Sequence, residues 1–125
     1  RDADKLDNYR VKLEDGIETM IGRGITEENL GSFDISDAVY EEAKKRVSIL
    51  SSMRKTPMDM WVSYIAVTFD IYFKETLEII NEENYIRRFV SRVPYTNEKT
   101  AARMAEILGL VLAYIRERIG LDDKD

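Results

Sequence analysis

The stretch 51-SSMRKTPMDMWVSYIAVTFDIYF-73 decides the fold of this chain. It opens near the basic pair Arg54-Lys55, passes a helix-start signal and then turns almost continuously apolar. Thr56 is suited to cap a helix and Pro57 to stand at its first position. Asp59, three residues past the cap, places an acid where it favours a helix N-terminus. Residues 61–73 are apolar almost all round, which is the composition of a helix enclosed by others. The reading is therefore a long central helix that Asn81 ends. Asp70 interrupts its apolar run, and a carboxylate buried there needs a partner. Lys74, four residues on, is placed for a helical ion pair, and Arg54, Arg87 or Arg103 could reach it from elsewhere. Asp70 is read as structural, either ion-paired or at the edge of the bundle, rather than as a general base, because no second catalytic group accompanies it.

On either side of this stretch the apolar spacing is helical. Leu6, Tyr9, Leu13, Ile17 and Met20 recur at steps of three and four, which predicts one amphipathic helix ending at Gly22. The segment 22–36 carries three glycines and reads as a loop, with a single turn over 27–30 capped by Thr26. A second helix starts near Ser36 with Val39, Ala43, Val47 and Leu50 inward. A short fourth helix carries Tyr85 or Ile86, Phe89, Val90 and Val93 inward, with Arg88 and Arg92 outward, and stops at Pro94. Thr96 opens the last helix, which runs to about Ile119 and ends at Gly120. No alternating strand pattern appears. The expected architecture is an all-α, compact bundle of about five helices, with helices three and five central, forming a single domain over residues 1–125. Because it begins at Arg1 rather than Met, the chain reads as a processed form or a segment of something longer.

Composition removes most catalytic options. The chain of 125 residues has no cysteine and no histidine, which excludes disulfides, Cys or His zinc sites, thiol nucleophiles and imidazole bases. Its apolar runs fall short of the ~18 residues of a membrane-spanning helix, and the expected compartment is the cytoplasm. The net charge of −5 is uneven: residues 1–43 hold five basic and twelve acidic side chains, whereas residues 44–60 hold five basic and one acidic.

No other motif carries chemistry. Glu27-Glu28, Glu41-Glu42 and Glu82-Glu83 are adjacent on the chain and diverge on a helix. Glu75 and Glu78 share a face, but no second acidic pair is spaced to meet them, and a di-iron bundle also wants Glu-x-x-His. Gly22-Arg23-Gly24 follows a helix rather than a strand and lacks the rest of a dinucleotide loop. The run 102–115 mimics a helix-turn-helix only loosely, since nothing breaks the helix at Gly109. No catalytic residue, metal ligand or cofactor is assigned.

The basic clusters carry the functional reading. Lys44, Lys45, Arg54 and Lys55 form one, and Arg87, Arg88, Arg92, Lys99 and Arg103 form the other. The turns at 51–56 and 93–96 are expected at one end of the bundle, and Tyr85, Phe89 and Tyr95 interleave with the second cluster. Basic residues mixed with aromatics suit phosphate contact and base stacking. The helix N-terminus after Arg54-Lys55 is the best placed to offer free N–H groups to a phosphate. The expected function is a non-catalytic module contacting nucleic acid or nucleotide phosphates, as an accessory part of a replication, repair or defence machine. The alternative is a protein-interaction or homodimerisation module using apolar surface at Tyr64, Tyr72, Leu110 and Tyr114. No membrane partner is expected.

Overall fold

The computed structural model of the chain describes residues 2–120. Among these there is no strand, and eight α-helices follow one another: α1 (Asp2–Glu14), α2 (Ile17–Ile21), α3 (Glu27–Leu30), α4 (Asp37–Lys44), α5 (Pro57–Ala66), α6 (Lys74–Glu82), α7 (Tyr85–Ser91) and α8 (Glu98–Ile119). The all-α class matches the expectation. The count does not, because the first and third expected helices each break in two and the 22–36 loop contributes α3.

Each break has a physical cause distant in sequence. Between α1 and α2, Gly16 takes extended backbone (φ −69°, ψ 144°). A continuous helix would need the carbonyls of Lys12 and Asp15 for the following turn. Both are instead taken by the Arg92 guanidinium, Lys12 at 2.6 Å. The second expected helix stops short at Lys44, and Arg46 turns left-handed at φ 63°. That conformation costs a non-glycine residue ~1–2 kcal/mol. It carries the Arg46 guanidinium to Glu117 at 3.1 Å and over the Tyr114 ring. Val47 and Leu50, expected inward, are consequently 40% and 64% exposed.

The stretch 51–73 divides most sharply. Its start is as read: the Thr56 hydroxyl accepts from the Asp59 N–H at 3.0 Å, and Pro57 stands at the first helical position. Seven of the ten α5 residues are buried, and full burial of each large apolar side chain among them contributes about 1.5–3 kcal/mol. Trp61 stacks on Phe89 of α7 with ring centroids 4.1 Å apart. The helix nonetheless tightens into a 3-10 turn at Val67–Asp70. There the Thr68 hydroxyl donates to the Ile65 carbonyl at 2.8 Å and meets the buried Tyr9 hydroxyl, competing with the helical ladder. Residues 71–73 are extended, and Arg118 donates to the carbonyls of Ile71 and Tyr72 at 3.0 and 2.6 Å.

The break decides between the two structural readings of Asp70 in favour of the bundle edge and corrects the expected ion pair. It lies at the exposed end of the 3-10 turn, outside the apolar interior, and pairs with no cation among the described residues. The buried carboxylate of this stretch is Asp59, fully enclosed near the start of α5.

The longest helix, α8, sends Thr100, Met104, Ile107, Val111 and Ile115 inward, and α4, α5, α6 and α7 all pack against it. Its cap is Asn97, which accepts from the Thr100 N–H at 3.1 Å, rather than Thr96. The loop before it is pinned to the end of α3, where Asn97 donates to the Gly31 carbonyl at 3.2 Å. A Cβ on Gly31 would stand 2.0 Å from the Pro94 carbonyl oxygen, so only glycine fits that approach.

Candidate anion-binding cleft

Arg54, Lys55 and Thr56 leave the 3-10 turn Ser51–Met53 and reach the head of α5, with Arg54 and Thr56 in extended conformations. The helix α2 packs against α5, tied by the Tyr64 hydroxyl donating to the Met20 carbonyl at 3.0 Å. Between them opens a cleft of about 330 Å³. Its lining combines the apolar Ile21, Ile25, Pro57 and Met60 with the polar Ser51, Arg54, Lys55 and Thr56.

The helix donors at this end are not free. Asp59 accepts from the N–H groups of Ser36 at 2.8 Å, Lys55 at 2.8 Å and Thr56 at 3.2 Å, and from the Ser36 hydroxyl at 2.5 Å. The Thr56 hydroxyl donates to the Asp34 carbonyl at 2.6 Å. The capping box thus commits the Thr56 and Asp59 N–H groups, which corrects the expectation of a fully bare N-terminus. What faces the cleft is side-chain charge. Arg54 is half-buried, and among the described residues its guanidinium donates only to the neutral Ser63 hydroxyl, at 3.3 Å. Lys55 is exposed and makes no ion pair among the described residues. Glu18, three residues before Ile21, accepts from the Gly24 N–H at 2.8 Å.

The other basic residues divide between pairing and exposure. Lys44 lies 3.7 Å from Glu41 and over the Tyr40 ring, and Lys45 lies 3.1 Å from Glu42. Both sit at the C-terminal end of α4, whereas Ser36 at its other end touches Asp59. Eight helical residues span ~12 Å, so Lys44 and Lys45 are separated from Arg54 and Lys55 by the length of α4. Arg92 is spent on the carbonyls of Lys12 and Asp15 and on Glu27 at 2.8 Å. Arg103 donates to Asp37 and to the Ile35 carbonyl, at 2.8 and 2.9 Å, and lies over the Tyr40 ring. The Arg103 hydrogen bond and charge, with a smaller contribution from Lys99, hold the Asp37 carboxyl below its ordinary range. Arg87 and Arg88 are exposed on α7, and Arg88 turns back to the Glu83 carbonyl at 3.2 Å and over the Tyr85 ring.

Thr56 and Asn97 both reach Asp34, Asn97 at 2.7 Å from its carboxylate, so the turn before α5 and the loop before α8 flank one segment. The stacking partners are withdrawn: Tyr85 and Phe89 are buried, and the Tyr95 hydroxyl donates to the Val90 carbonyl at 2.6 Å. Burial pushes the Tyr95 phenol up to about 12. Sequence reading identified Arg54 and Lys55 but not the apolar part of the lining. Ile21 and Ile25 lie about thirty residues upstream and carry no local mark of a cleft.

Among the described residues no three carboxylates gather where a cation could sit, and no helix is long and apolar enough to cross a membrane. Comparison with protein-family models, with curated proteins and with solved structures gives no match, so the functional reading rests on this chain's own geometry.

Proposed function

We propose that this chain is a non-catalytic binding module that holds a phosphate of a nucleic acid or nucleotide at the Arg54–Lys55 cleft. The observation that carries the reading is the meeting of two cations, neither paired with an acid among the described residues, on one concave surface. A guanidinium that is half-buried and bonded only to a hydroxyl keeps most of its donor fork for an anion. An accessory role in a replication, repair or defence machine follows by analogy of fold alone.

Fluorescence anisotropy of labelled single- and double-stranded oligonucleotides, at low and at near-physiological salt, tests the proposal. Binding is expected to weaken with salt, since released counterions drive it, and to be lost in the Arg54→Ala/Lys55→Ala double variant. Salt-independent binding, or binding that survives the double variant, sinks the assignment of this cleft.

A second reading, a protein-interaction surface, has one specific support. Tyr72 and Phe73 are 76% and 56% exposed on the segment that Arg118 holds, with their rings edge to face at 5.0 Å. Tyr64 and Tyr114, by contrast, are half-buried and bonded internally. Self-association through this pair would appear in sedimentation velocity as concentration-dependent and salt-tolerant.

A further inference from the structure

We infer that the cleft reads a phosphate together with the sugar that carries it, and is blind to the base. The inference rests on the phosphate reading above and deepens it. A base is recognised by stacking on a ring or by paired donors and acceptors on its edge. The cleft offers neither. None of its lining residues is aromatic, and none is Asn, Gln, Asp or Glu. Its one planar fork, Arg54, shares the lining with Lys55, and the Thr56 hydroxyl proton is committed to the Asp34 carbonyl.

The rest of the lining is apolar: Ile21, Ile25, Pro57 and Met60. Such side chains gain dispersion contacts from the C–H face of a pentose without imposing the shape of a particular base. Size agrees with this division. The volume of about 330 Å³ lies near the lower bound of the ~300–1,000 Å³ typical of small-molecule sites. A phosphate and its sugar fit within it, and the lining holds no group that selects one base over another. At the helix N-terminus the Thr56 and Asp59 N–H groups are committed to the capping box, so recognition falls mainly to the side-chain charges. One phosphate held by both cations sets the ionic footprint: neutralising it on a single strand gives a slope of about −0.7 for log K against log salt.

Isothermal titration of the intact chain with inorganic phosphate, ribose 5-phosphate, the four ribonucleoside 5′-monophosphates and hexanoate tests the inference. Ribose 5-phosphate is expected to bind about tenfold more tightly than inorganic phosphate. The four nucleotides should fall within about threefold of it and of one another, a difference below ~0.7 kcal/mol. Ile21→Asn should bring ribose 5-phosphate down to the affinity of inorganic phosphate while leaving inorganic phosphate unchanged. The ligand series on the unsubstituted chain decides the question even if that variant fails to fold. One nucleotide exceeding the others by more than tenfold, or inorganic phosphate matching ribose 5-phosphate, overturns base-blind sugar reading while the phosphate site stands. Tightest binding by hexanoate overturns it in favour of an aliphatic carboxylate. No titration by any phosphate ligand overturns the phosphate reading itself, and this inference with it.

Discussion

The two halves of 51–73 are equally apolar and behave differently. Residues 56–66 fold as their local signals direct, with Thr56, Pro57 and Asp59 closing a capping box at the head of a buried helix. Residues 67–73 continue the same apolar composition but leave the α-helix, because Thr68 finds Tyr9 and Arg118 collects the carbonyls of Ile71 and Tyr72. A helix start is written within four residues. This helix end is dictated by side chains some fifty residues away on either side. The two carboxylates follow the same division: Asp59 is buried and fully bonded, and Asp70 is out in water.

The largest test of that division is Asp59→Ala. The substitution removes the acceptor from three N–H groups and one hydroxyl gathered on a carboxylate that is itself fully enclosed. Each orphaned donor costs ~1–3 kcal/mol, so a total loss above ~3 kcal/mol is expected in urea denaturation. Ser36 belongs to the start of α4, and Asp59 therefore joins two helices as well as capping one. A loss below ~1 kcal/mol, the value of an ordinary exposed cap, would show that the enclosed carboxylate is not what anchors this half.

Next in size is Gly31→Ala, which tests whether distant backbone contact governs the loops as it governs the breaks. The obstacle is space rather than conformation, since Gly31 has φ −73°, open to any residue. A Cβ would meet the backbone of Pro94 and Tyr95, and neither can rotate away. A cost at or above the ~1–3 kcal/mol of ordinary overpacking is expected in the same denaturation series. A neutral result would mean that the 94–97 loop shifts freely against α3.

These positions show what was legible. The all-α class, the head of α5, the single turn capped by Thr26 and the stop at Gly120 follow from residues adjacent in sequence. The breaks at 15–16, 45–46 and 66–73 do not, because Arg92, Glu117, Tyr9 and Arg118 arrive from elsewhere in the fold. The candidate site divides in the same way. Arg54 and Lys55 announce themselves by charge, and the aliphatic wall at Ile21 and Ile25 exists only once α2 packs on α5. A cation in a sequence also does not reveal the carbonyls it will meet, which is why Arg92 reads as surface charge and folds as a staple.

An alkaline titration probes the same division through buried phenols. Burial raises Tyr9, which sits on Thr68 where α5 ends, and Tyr95, the latter to about 12. A raised folded pKa means that the unfolded chain loses its proton first, near the ordinary value of ~10. Their contribution to stability is therefore complete below that pH and is lost as pH rises through the interval up to the folded values. Stability should fall with a slope of up to ~1.4 kcal/mol per pH unit for each phenol above pH 10. Tyr95→Phe should make that fall shallower while leaving the neutral-pH curve displaced by a constant amount. Equal slopes in the two proteins would show that Tyr95 ionises in the folded state as readily as in the unfolded one.

The smallest expected effect belongs to Asp70→Asn. The carboxylate lies in the same apolar stretch as Asp59, yet it is exposed at the end of a 3-10 turn and pairs with no cation among the described residues. Substitutions at such surface positions fall within about ±0.5 kcal/mol. A near-zero result beside a large one for Asp59→Ala would assign the difference between the two acids to burial and bonding, since both stand among apolar neighbours in sequence. A loss above 1 kcal/mol at Asp70 would contradict its exposure and restore a structural ion pair, with Lys74, four residues on, the first partner to remove in a double-mutant cycle.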